Sequence, residues 1–214
     1  IMATGIVVRS ISSLIKNKWS DPAVIVIDES AKYVISLLSG HIGGANKFAK
    51  EIATILGSTP IITTATDINN LTSIELWAKE KGLIIENPSQ LPEITRRYLS
   101  KGGLRVYTEI SIDLPEEFIK VPKVSYADIV ITTKEKIQVC DCRVKTQLYL
   151  RPKNLFIGLG CNSNTPFEEI EYAITKTFKN HNLSLLSIAC VSTLKQKSDE
   201  VGIKEFVKRY KLPL

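Results

Sequence analysis

His41 lies in a turn crowded with glycine, Leu38-Ser39-Gly40-His41-Ile42-Gly43-Gly44-Ala45-Asn46. An imidazole titrates near neutral pH, so a histidine placed there can act as a general base. Glycines allow close backbone approach, and those that open a helix leave its first amides unshielded for an anion. Further along, Thr63, Thr64, Thr66 and Asp67 follow an apolar run. Hydroxyls and a carboxylate at the end of a buried strand can orient water, a hydroxyl or a carbonyl, and Asp67 can itself exchange a proton. Each has a plainer reading. In it His41 merely closes its turn, and Asp67 forms an Asx turn or caps a helix beginning near Asn70–Leu71. On spacing alone both readings stay open.

Other groups carry less. Thr4-Gly5 with Arg9 presents a helix start and a cation, or simply an amphipathic surface helix. Gly158, Gly160 and Cys161 precede Thr165-Pro166-Phe167-Glu168, so strand, glycine turn and helix recur there. That tetrad predicts Thr165 as N-cap, Pro166 at the first helical position and Glu168 as the capping-box acid. Its amides would suit an anion, but no G-x-G-x-x-G and no lysine at Walker spacing supports a nucleotide. Cys140-Asp141-Cys142 lacks a second Cys or His pair at zinc spacing, and no protein metal site is expected. His181, in Lys-Asn-His-Asn, reads as solvated.

These groups need elements to hold them. Apolar runs alternate with helix-period segments, which predicts an α/β fold with largely parallel strands. Strands are expected at Ala23–Ile27, Tyr33–Leu38 and Pro60–Thr63. Between the last two, Ala45, Phe48, Ala49, Ile52, Ala53 and Leu56 form one helical stripe, closed by Gly57 as a left-handed cap. A helix over Leu71–Glu80 stops at Gly82. Short strands then follow at Leu83–Ile85, Leu104–Tyr107, Asp128–Thr132, Ile137–Cys142 and Gln147–Leu150, with a helix at Glu93–Ser100. Leu155–Gly160 opens a third region, with a helix to about Lys179 that turns Phe167, Ile170, Ala173, Ile174 and Phe178 inward. A strand over Leu185–Thr193 and a helix over Asp199–Tyr210 complete it. The expected organisation is three small domains: residues 1–82 and 153–214 with mainly parallel sheets flanked by helices, and a middle α+β unit over 83–152. Ile1 precedes Met2 and Pro213-Leu214 reads as a strand start, so both ends are expected to be cropped.

Composition sets bounds. The 214 residues are 44% hydrophobic and 23% charged, ordinary for a globular chain. No apolar run nears the roughly 20 residues of a membrane span, and no secretory pattern opens the chain, so a cytoplasmic setting and no membrane partner are expected. The four cysteines are too scattered for a disulfide framework. A net charge of +6 favours an anionic partner. It does not imply nucleic acid, since no run of five or more Lys/Arg and no zinc-finger or RNP-type pattern occurs.

With these residues in view, the chain resembles the cobalamin-biosynthesis G family, the cobalt-precorrin-5A hydrolases of the anaerobic pathway. The likeness is carried by Ala3-Thr4-Gly5-Ile6-Val7-Val8-Arg9, Asp21-Pro22-Ala23-Val24, Leu38 to Asn46 and Thr63-Thr64-Ala65-Thr66-Asp67. It continues through Tyr126-Ala127-Asp128, Leu150-Arg151-Pro152, and Gly158 to Cys161 with Thr165-Pro166 and Glu168-Glu169-Ile170-Glu171. Asn162-Ser163-Asn164 departs from it, because the family commonly has basic residues and a glycine after the cysteine. The resemblance implies opening of a δ-lactone on a ring-contracted cobalt corrinoid and release of acetaldehyde. No cofactor is then needed, since cobalt arrives within the substrate, and contact with other enzymes of the pathway is left open. For such chemistry we expect His41 as base, with Thr66 and Asp67 beside it as catalytic residues. The Gly43 and Gly44 amides are the expected oxyanion donors. Substrate contacts are expected from Thr4, Arg9, Ser39, Gly40, Gly43, Gly44, Asn46, Thr64, Cys161 and Thr165. A corrinoid carrier without chemistry and a nucleotide-phosphate-binding protein are the competing expectations.

Overall fold

A computed structural model describes residues 1–17, 20–137 and 146–214. The chain is α/β, with seven α-helices and three sheets among the described residues. It divides into two compact units, Ile1–Trp77 and Ala78–Leu214.

The first unit begins with α1 (Thr4–Ile11), which buries none of its residues. β1 (Val24–Ile27) pairs antiparallel with β2 (Tyr33–Leu38). The chain then crosses through α2 (Ala45–Leu56) to β3 (Thr59–Ile61), which lies parallel to β2. Two adjacent parallel strands therefore end at the same edge, where Ser39–Gly44 leaves β2 and Thr64–Asp67 follows β3. A short α3 (Ala65–Ile68) comes next, and the unit ends at Trp77 inside α4 (Ile74–Glu80).

The predicted stripe on α2 is rotated by the structure. The buried residues are Ala45, Asn46, Ala49 and Ala53, whereas Phe48 and Leu56 are each 47% exposed. Alanine is the reason: its short side chain lets the helix backbone approach β2, where Val34 is fully buried against Ala49 and Ala53. The large side chains are left at the rim. Asn46 thereby enters a face that hydrophobic periodicity assigns to apolar residues. Gly57 has the left-handed cap conformation expected of it, φ 64°.

The second unit carries a five-stranded sheet. Its strands are β4 (Leu83–Ile85), β5 (Leu104–Thr108), β6 (Phe118–Lys120), β7 (Ile129–Ile131) and β8 (Leu148–Pro152). They are ordered β4-β8-β7-β5-β6, and only the β4–β8 pairing is antiparallel. α5 (Leu91–Lys101) precedes β5 and buries Leu91, Ile94 and Tyr98. Arg151 and Pro152 belong to β8 and are buried. Arg151 is only 1% exposed, and its guanidinium bonds Glu86 Oε2 and the Thr132, Lys134 and Glu135 carbonyls. That is a structural clamp, strong because the donors are charged and the site is dry. The strand read over Ile137–Cys142, and the Cys140-Asp141-Cys142 group, fall outside the described residues after Ile137.

β9 (Leu155–Gly158) and β10 (Ile188–Ser192) form a parallel pair joined by α6 (Phe167–Asn180), and α7 (Val201–Arg209) packs against α6. Phe167, Ile170, Ile174 and Phe178 line the core, each stabilising by up to about 1.5–3 kcal/mol. Ala173, expected inward, is exposed. The expected strand over Leu185–Thr193 opens instead as a 3-10 turn at Leu185–Ser187. The helix also starts one residue later than the capping signature predicts. Pro166 is the N-cap, and the Thr165 hydroxyl turns back to donate to Asn162 O at 2.8 Å.

Candidate functional site

The carboxyl edge of β2 and β3 gathers the predicted groups of the first unit. In open α/β sheets this edge is where ligands bind, because chain leaving two neighbouring parallel strands frames a crevice. His41 comes from the turn after β2, Thr64, Thr66 and Asp67 from the chain after β3, and Asn46 from the first turn of the connecting α2.

His41 Nε2 lies 3.0 Å from Asp67 Oδ2 and 3.2 Å from Thr66 Oγ1. The His41 side chain is 16% exposed and that of Asp67 25%, so the pair is shielded yet open to a ligand. A carboxylate can only accept, so the proton of a neutral ring belongs on Nε2 and Nδ1 keeps its lone pair. Asp67 Oδ2 also accepts from Asn46 Nδ2 at 2.9 Å, while Lys50 Nζ stands 3.7 Å from Oδ1. The carboxylate is thus bonded to side chains across the site and does not cap the following turn, where Leu71 N reaches Thr66 O and Asn70 N reaches Asp67 O. Asn46 Nδ2 donates in addition to Thr64 Oγ1 at 3.0 Å, which leaves the Thr64 O–H for another acceptor.

The glycines serve this cluster from within. A Cβ on Gly40 would lie 2.6 Å from Asn46 Oδ1, and one on Gly43 would lie 2.5 Å from Ser39 Cβ and 2.9 Å from Ser39 O. Both allow protein to approach protein. Ser39 takes the left-handed conformation, φ 56°, and its hydroxyl donates to Asp21 O at 2.7 Å. The helix N-terminus is likewise spoken for: Gly44 N donates to His41 O, Ala45 N to Ser39 O and Asn46 N to Gly40 O. The Gly44 amide expected to hold an oxyanion is therefore engaged.

Thr4 and Arg9 are not brought into this cluster by any contact among the described residues. Met2 N bonds Ile27 O, at the end of β1 opposite Val24, and Val24 pairs with Leu38. Thr4 therefore starts α1 at the far edge of the sheet, and Arg9 is exposed farther along that helix. Thr63 is exposed as well.

Cys161 and Thr165 lie in the second unit, in an open cleft of about 530 Å³ that Gly160, Asn162 and Glu169 also line. Glu168 and Glu169 occupy the first turn of α6, where they offset the positive end of the helix dipole and weaken any hold on an anion. The neighbouring Asn162–Asn164 turn is fastened internally. Glu200 accepts from the Asn164 amide at 2.9 Å and from Lys197, and these bonds hold its carboxyl below the usual glutamate range. Among the described residues no three His, Cys, Asp or Glu side chains converge as a metal would require.

Two members of the first cluster escaped the sequence reading. Lys50 lies outside the apolar stripe of α2, and its i, i+4 spacing from Asn46 sets both on one side of the helix, with Nζ 3.7 Å from Asp67 Oδ1. Ser36, whose Oγ donates to Asn46 Oδ1 at 2.7 Å, alternates with Val34 on the face of β2 that α2 covers.

Comparison with known proteins adds a second kind of observation. A family model described as Cobalamin synthesis G N-terminal matches residues 1–67, and one described as Cobalamin synthesis G C-terminus matches residues 155–214. A Priestia megaterium protein named cobalt-precorrin-5A hydrolase is 32% identical over 98% of this chain and 60% of its own length. A Salmonella typhimurium protein of the same name is 30% identical over 100% of this chain and 63% of its own. A Methanocaldococcus jannaschii protein named "Probable cobalt-precorrin-5A hydrolase" is 32% identical over 100% of this chain and 62% of its own. The chain thus spans about three-fifths of the length of these curated relatives.

Proposed function

Because this chain belongs to the cobalamin-biosynthesis G family, we propose that it hydrolyses cobalt-precorrin-5A, with His41 as the general base. The observation that carries this reading is the His41 Nε2–Asp67 Oδ2 contact of 3.0 Å at the shared edge of two parallel strands. It leaves Nδ1 as the basic nitrogen. Nδ1 takes a proton from water as the water oxygen adds to the lactone carbonyl, and Asp67 stabilises the imidazolium that forms. The carbonyl oxygen, now anionic, accepts from the Thr64 hydroxyl. Collapse of the adduct breaks the ring carbon–oxygen bond, and the departing alkoxide takes up the proton. Loss of that hydroxyl's proton then breaks the adjacent carbon–carbon bond. Acetaldehyde leaves, and the electron pair stays on the macrocycle until a proton reaches it.

Cobalt enters and leaves inside the macrocycle, as substrate. The setting is cytoplasmic, in keeping with the absence, among the described residues, of a helix long and apolar enough to cross a membrane. The experiment is acetaldehyde release from the lactone-bearing cobalt corrinoid by the full-length protein and its His41→Ala variant. Loss of about 10²–10⁴-fold in rate with substrate binding retained is expected. Unchanged turnover would remove His41 from the mechanism. Binding without release by the unaltered protein would make it a carrier.

A further inference from the structure

The geometry points to Asn46 as a positioning residue that acts on His41 through Asp67. This rests on the base assignment proposed above and deepens it. Asn46 is 6% exposed, and its amide is nearly saturated. Both Nδ2 hydrogens are used, one toward Asp67 Oδ2 at 2.9 Å and one toward Thr64 Oγ1 at 3.0 Å. Oδ1 accepts from the Ser36 hydroxyl at 2.7 Å. An amide so engaged has little left for a substrate, which moves Asn46 from the expected binding set to the support of the base.

The effect of that support follows from the two oxygens of Asp67. Oδ2 receives Asn46 and faces His41, whereas among the described residues Oδ1 has only Lys50, 3.7 Å away on an exposed side chain. Without Asn46 nothing fixes which oxygen meets the imidazole, and rotation toward Lys50 would draw the carboxylate off the ring. Ser36 determines the sense of the amide, because a hydroxyl donating to Oδ1 turns the nitrogen toward the carboxylate. Four side chains on β2, α2, α3 and the turn after β2 therefore form one ordered chain, Ser36–Asn46–Asp67–His41.

The test uses Asn46→Ala and the near-isosteric Asn46→Asp in the full-length protein, with Ser36→Ala as a milder second perturbation. We expect kcat to fall about 10²-fold with KM changed less than about twofold, as displacement of a base by about an ångström would do. In an Asp67→Asn background the Asn46 change should add little, since its route to His41 is already cut. The Nε2 proton of His41 gives a readout independent of turnover. Only two histidines are present, so a His181→Ala background assigns the ring signal without ambiguity. A downfield, slowly exchanging Nε2–H in the parent should weaken or vanish in Asn46→Asp and Ser36→Ala. A raised KM with kcat preserved, or an unchanged Nε2–H signal in both variants, would overturn the inference. A signal that answers to Asn46 while His41→Ala retains turnover would instead overturn the base assignment and leave the positioning chain standing.

Discussion

Gly40 shows how closely the candidate site is built. A methyl group there would press on Asn46 Oδ1 at 2.6 Å and on Cγ and Nδ2 at 3.0 Å. Asn46 could yield only by giving up bonds to Ser36, Thr64 or Asp67. Gly40→Ala should therefore lower kcat about 10-fold or more while costing only about 1–3 kcal/mol of stability. Steady-state rates beside denaturant unfolding check it, and a large stability loss at unchanged kcat would contradict it. At this scale the sequence is legible where a residue of titratable type follows an apolar run. His41 and Asp67 could be picked out because each follows an apolar run that reads as a strand. Ser36 and Lys50 could not be joined to them, nor could Asn46 be told apart from a substrate contact, because a buried amide is recognised by its partners and those partners are brought near only by the β2–α2–β3 crossover.

Gly202 shows the same economy between helices. It sits in α7, and a Cβ on it would lie 2.4 Å from Thr165 O and 3.2 Å from Phe167 N, backbone atoms at the entry to α6. Gly202→Ala must push α7 away from α6, at a cost of about 1–3 kcal/mol that outweighs the better helix propensity of alanine. Gly160→Ala, where nothing lies within 4 Å, is the control. Thermal unfolding of the two variants should separate them clearly, and equal midpoints would refute the packing argument. Most elements could be read from periodicity: β2 and β4 fall on the residues expected, and α2 and α5 start or end within two residues of expectation. β6 was missed because Phe118–Lys120 is a three-residue edge strand paired only with β5, too short to show alternation. The start of α6 was misread because a capping signature states what Thr165 can do, and the structure gives its hydroxyl a nearer acceptor in Asn162.

Charge is a property of the whole molecule, and it is unevenly shared. Residues 1–77 hold six Lys/Arg and six Asp/Glu, so the entire formal excess of +6 belongs to residues 78–214. On the reading proposed above, an anionic substrate would be drawn mainly by the second unit, whereas His41 and Asp67 belong to a unit of no net charge. Raising salt from about 0.05 to 0.5 M should therefore weaken corrinoid binding several-fold and leave kcat at saturation nearly unchanged, since screening acts between distant exposed charges. Titration of binding and turnover at both salt levels checks this; a salt-sensitive kcat would mean that long-range charge acts on the chemical step. The α/β class was legible from the alternation of apolar runs and helical stripes, and the overall basicity from composition. The partition of charge was not, because it needs the division near Trp77 that only the packed chain reveals.

The turn between β2 and α2 spends the first amides of the helix on its own carbonyls: Gly44 on His41, Ala45 on Ser39 and Asn46 on Gly40. A segment that completes its own bonding has little disorder to surrender when a ligand arrives. The configurational entropy of that turn is lost during folding and need not be lost again at association. Affinity can then be modest without His41 losing its orientation, and a ligand can depart without the turn having to re-form before the next encounter.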